Sequence, residues 1–77
     1  MNMNSLRGRR MNLVAERSRR GMSQLDLAKE VGSATSSVSN WENGTVTPSG
    51  KKLLMLCDVL DSPAEYLLER FGMDDDA

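Results

Sequence analysis

Seventy-seven residues, 39% hydrophobic and 27% charged, make one small soluble globular domain with little room for an enzyme cleft. Histidine is absent, which removes the usual base near neutral pH, and the single Cys57 excludes an intramolecular disulfide framework and a cysteine-rich zinc site. The net charge of −1 hides a polarity: residues 1–52 carry nine Lys/Arg against four Asp/Glu, whereas residues 53–77 carry one against seven.

The pattern is helical throughout, without internal repeats or strand-like alternation. No apolar run reaches membrane-span length. The opening residues, MNMNSLRGRR, carry arginines without a following apolar stretch, so a secretory signal is not expected. The first helix is expected from about Leu6 to Arg20, with Arg10, Leu13, Val14 and Arg17 on one face and Gly21 as its C-terminal stop. Ser23 starts the second helix, with Asp26 three residues on as a short capping box. Leu27, Ala28 and Val31 form its inner face, and Gly32 stops it.

The third helix is expected over about Thr35–Glu42. Val38 and Trp41 point inward, Thr35, Ser36, Ser39, Asn40 and Asn43 lie outside, and Asn43-Gly44 ends it. Ala34 cannot accept a side-chain cap bond, so the helix starts from Ser33 or Thr35. The fourth helix begins after Pro48 and covers about Gly50–Leu60. Its run LLMLCDVL, apolar nearly all round, marks it as the most buried of the five. In the fifth, Ser62 caps, Pro63 takes the first helical position and Glu65 completes a capping box. It is expected to run through Leu68 towards Phe71, with Gly72 as its stop. Residues 1–72 then form the domain, and Met73–Ala77 (MDDDA) is a disordered acidic tail.

Function is carried by Ser23–Gly44, two short helices joined by a tight turn. Ala28 is small enough for close helix approach, and Gly32 supplies the turn. The outer face of the second of these helices holds short polar side chains, which suits insertion into the DNA major groove. Nothing from Val31 to Trp41 is charged, so base reading falls to hydroxyls, Asn40, methyl contacts and DNA shape rather than to an arginine on guanine. Arg7, Arg9, Arg10, Arg19, Arg20, Lys51 and Lys52 are candidates for phosphate contact, with Arg10 and Lys51 flanking the motif.

Residues 13–68 resemble the Cro and lambda-repressor type of helix-turn-helix domain. The matching residues are M-S-Q-x-x-L-A-x-x-V-G at 22–32, S-x-V-S-N-W-E-N-G at 36–44, T-P-S at 47–49 and S-P-A-E-Y-L-L at 62–68. The resemblance implies an all-α, five-helix lambda-repressor-like bundle. It makes Thr35, Ser36 and Asn40 base-reading residues, with Ser39 a lesser candidate. Gln24 is implied to touch a phosphate and brace the reading helix. Ser37, Asn43 and Thr45 are implied to approach phosphates through backbone N–H groups and side chains. Arg17 and Glu42 match a buried ion pair. Ser33 departs from an aliphatic position of the family, and Ala34 from its usual serine or threonine cap.

The function so implied is that of a phage or prophage repressor, acting as a homodimer on a pseudo-palindromic double-stranded DNA operator in the cytoplasm of a bacterial host, at the nucleoid. Leu68 and Phe71, with Met73, are the expected dimer surface. No catalytic role, metal, cofactor, small-molecule ligand or membrane is expected. Antitoxin autoregulators and restriction–modification controllers share this fold and size. A protein-interaction module on the same scaffold is the rival from another class.

Overall fold

A computed structural model describes residues 8–69. They contain five helices: α1 (Met11–Arg19), α2 (Gln24–Val31), α3 (Thr35–Asn43), α4 (Gly50–Leu60) and α5 (Ala64–Leu68). No strand occurs among the described residues. One core joins all five, made of Leu13, Leu27, Ala28, Val31, Val38, Trp41, Leu56, Leu60 and Leu67. It is aliphatic apart from Trp41, as so few aromatic residues require.

α2 follows its sequence signals closely. The Ser23 hydroxyl accepts from the Asp26 backbone N–H, and the Asp26 carboxylate accepts from the Ser23 N–H. Gly32 closes the helix in the left-handed region at φ 65°. α3 begins at Thr35 with Ala34 extended before it and no side-chain cap.

The start of α1, the burial of α4 and the capping of α5 need correction. α1 starts at Met11 rather than near Leu6, which lies outside the described residues. Arg10 stands before the helix at φ −96°, ψ 80°, because its backbone N–H is drawn to the carbonyl of Glu42 (2.8 Å). α4 is not the most buried helix. It contributes two fully buried residues, Leu56 and Leu60, against three from the shorter α2, and Leu54 is 68% exposed. Met55, Cys57 and Val59 pack against the core while staying partly exposed.

α5 is short. Pro63 occupies the capping position, and the Ser62 hydroxyl donates back to Leu60 O (2.9 Å) instead of capping. The helix ends at Leu68, where Glu69 adopts φ 58°. That turn lets the Glu69 carboxylate accept from the backbone N–H of Asn12 (2.7 Å) in the first turn of α1, where donors lack helical partners. Asn12 Nδ2 donates in return to Tyr66 O (2.9 Å). The expected extension to Phe71 and Gly72, and the Met73–Ala77 tail, lie outside the described residues.

Candidate nucleic-acid interface

α2 and α3 meet where Ala28, 1% exposed, lets their backbones approach. The turn between them is braced from outside the motif. Lys52 Nζ, from α4, donates to Val31 O (2.6 Å) and Gly32 O (2.9 Å). The ammonium therefore sits at the negative C-terminal pole of α2.

α3 divides cleanly. Val38, Trp41 and Glu42 are buried. Thr35, Ser36 and Asn43 are exposed, and Ser37, Ser39 and Asn40 are half-buried. The result is a narrow, uncharged, hydroxyl-rich edge over an anchored inner face. Its side chains present donors and acceptors of the kind that base edges pair with.

The C-terminal end of α3 is held on every side. Glu42 is buried, and Arg17 of α1 meets it through Nε (2.5 Å) and Nη2 (3.2 Å). Gln24 of α2 donates to the same carboxylate (2.9 Å), and Arg17 Nη1 reaches Met22 O (2.7 Å). One carboxylate thus ties three helices together, and Gln24 braces α3 through it. The last carbonyls of the helix are also taken up. Asn40 O accepts from Thr45 N–H (3.0 Å) and Val46 N–H (3.2 Å), and Glu42 O from Arg10 N–H. Trp41 O accepts from Arg10 Nη1 (2.7 Å).

Arg10 lies elsewhere than expected of a residue on the face of α1. Besides Trp41 O, its guanidinium reaches Val46 O (2.9 Å) and Thr47 Oγ1 (2.7 Å), and so gathers the α3–α4 loop. Gly44 turns that loop at φ 84° against the backbone of Gly8, where a Cβ on residue 44 would stand 1.7 Å from Gly8 O. Asn43 Oδ1 accepts from Thr45 N–H (2.9 Å). The backbone N–H groups of Thr45 and Ser37 are therefore already bonded within the protein, the latter to Ala34 O (3.0 Å). Of these three residues, Ser37 and Thr45 have their hydroxyls and Asn43 its amide NH2 to offer a phosphate.

The remaining basic residues fall into two groups. Arg20 (2.8 Å) and Arg19 (3.5 Å) pair with the buried Glu16, and Tyr66 donates its hydroxyl to the same carboxylate (2.9 Å). The Arg20 hydrogen bond first, then that of Tyr66, holds the Glu16 carboxyl below its ordinary range. Arg9, Lys29 and Lys51 are exposed and make no ion pair among the described residues. Arg7 lies outside those residues.

The helix-turn-helix family, of the Cro/repressor and XRE-like type, matches residues 13–67. The chain belongs to this helix-turn-helix family. No curated protein matched it. Helix-turn-helix domains of this type are DNA-binding regulatory modules, not catalytic ones, so double-stranded DNA is the partner. No helix among the described residues is long and apolar enough to cross a membrane. The family's framework was visible in the sequence. The roles of Arg10, Lys52, Asn12 and Glu69 were not, because each acts on a backbone group or helix end about 20 or more residues away and follows no local spacing.

Proposed function

We propose that the module is a phage or prophage repressor of Cro or repressor type. It binds a pseudo-palindromic operator as a homodimer and blocks polymerase by occupying the promoter. The observation that carries this reading is the neutral polar edge of α3, fixed at both ends and on its inner face. Thr35, Ser36 and Asn40 read bases there, with Ser39 beside them. An amide such as that of Asn40 suits adenine, which presents one donor and one acceptor in the major groove. Gln24, Ser37, Asn43, Thr45 and Lys51 set the register on the phosphates, which position without specifying.

A single α3 spans only a few base pairs. Two copies, about 34 Å apart on successive turns of one DNA face, supply the remaining discrimination. The reading gives that pairing to half-buried Leu68 at the end of α5 and to Phe71, which lies outside the described residues.

Selection of bound duplexes from random-sequence DNA tests the reading. A two-fold symmetric motif is expected. With Asn40→Ala, preference at one position of each half-site should weaken by about 1–3 kcal/mol. Lys51→Ala should weaken all duplexes alike. Failure to enrich any sequence at low salt would remove the repressor reading, and an asymmetric motif would remove the dimer.

A further inference from the structure

α3 has little local reason to hold its shape. Five of its first six residues are Thr, Ser or Asn, and the other is Val38, all of middling helix propensity. Its capping residue is Ala34, and its last turn contains no basic residue. Beyond the local turn at Gly44, what fixes it comes from distant elements, and at each end a cation is involved. Before α3, Lys52 holds the carbonyls of Val31 and Gly32. After it, Arg10 holds Trp41 O, Val46 O and Thr47 Oγ1. These bonds are charge-assisted, and those to Val31 O, Gly32 O and Trp41 O fall at helix C-terminal ends, where a positive charge is favoured. Lys51, next to Lys52 in sequence, faces solvent instead.

We infer that Arg10 and Lys52 are positioning residues that fix the turn before the reading helix and the loop after it, and that neither is a phosphate contact. The inference rests on DNA binding as the module's function. It divides the basic residues by role. Affinity that depends on salt comes from cations such as Lys51, whereas Arg10 and Lys52 govern how well α3 discriminates.

The full chain is titrated with the most enriched duplex from random-sequence selection, and with a scrambled duplex of the same composition, across a salt series. Arg10→Lys keeps the charge, but an ammonium cannot reproduce the planar fork across three acceptors. This variant and Lys52→Met should each lose about tenfold of the preference for the selected duplex. Both should keep the wild-type salt slope. If the residues were phosphate contacts, Arg10→Lys would bind almost as wild type. Lys52→Met would then weaken both duplexes alike and lower the slope by about 0.9. Either result overturns the inference.

Hydrogen exchange without DNA supplies a second readout. The amides of Thr45 and Val46 should exchange about tenfold faster in Arg10→Lys, and those of Gly32 and Ser33 in Lys52→Met, with Leu56 unchanged. Wild-type exchange at these amides also overturns the inference. Should Lys52→Met lose protection at Leu56 as well, the milder Lys52→Gln replaces it, with the same expectations. If the wild-type chain binds neither duplex, the DNA reading fails, and the exchange rates still decide whether the two cations clamp α3.

Discussion

Glu42 shows how much one side chain can organise. It is buried, and its carboxylate accepts from Arg17 on α1 and Gln24 on α2 while its own backbone belongs to α3. A buried charge is costly unless paired, and removing one partner leaves the other stranded. Glu42→Ala should therefore destabilise the fold by about 3 kcal/mol, read from chemical denaturation. A loss below about 1 kcal/mol would mean that Arg17 escapes to water and that the pair behaves as a surface pair. The Arg17–Glu42 match was legible in the sequence because family spacing carries it. Gln24 was expected to serve both a phosphate and α3, and the structure shows its amide on Glu42. The guanidinium of Arg10 could not be placed from sequence. A surface arginine and one that folds back onto a loop 31 to 37 residues away look the same in one dimension.

Among the helices, α5 joins one buried apolar side chain to several polar contacts with α1. It has five residues and buries Leu67 alone. Tyr66 reaches Glu16, Asn12 reaches Tyr66 O, and Glu69 caps the start of α1. The boundaries here were misread for a physical reason. S-P-A-E is a sound capping signal, but Glu69 turns the chain out of helix at Leu68 to meet α1, and such a tertiary bond has no local signature. The LLMLCDVL run misled in a similar way, since apolarity all round does not say which side is covered, and Leu54 is exposed among the described residues. The α1–α5 link also has a pH dependence. The Glu16 carboxyl is depressed, so its contribution is fully present above the ordinary carboxylate range and is lost as pH falls through the depressed value. Glu16→Gln should lower the melting temperature most near neutrality. The gap to wild type should close as pH falls from the ordinary carboxylate range through the depressed value. Melting temperatures that stay parallel across that window would detach Glu16 from acid unfolding.

At the scale of the whole molecule, charge is segregated along the fold. The described basic residues gather before and along α1, with Lys29 on α2 and Lys51 and Lys52 at the start of α4, while Asp58, Asp61, Glu65 and Glu69 line the end of α4 and α5. On the proposed reading, DNA meets the α3 edge, and repulsion from the acidic end then favours docking orientations that keep that end off the phosphates. If that end carries the dimer contact, Phe71→Asp should leave the fold intact, lower the sedimentation coefficient and weaken operator binding. An unchanged sedimentation coefficient with unchanged affinity would dispose of the surface, though not of DNA reading. The close approach of Gly8 to Gly44 reaches further than local packing. The recognisable family segment begins at residue 13 and ends at residue 67, yet Gly8, Arg10, Asn12 and Glu69 lie outside it. Anyone trimming this module to its familiar boundaries, or grafting its reading helix onto another scaffold, would carry away the letters and leave the binding of the book behind.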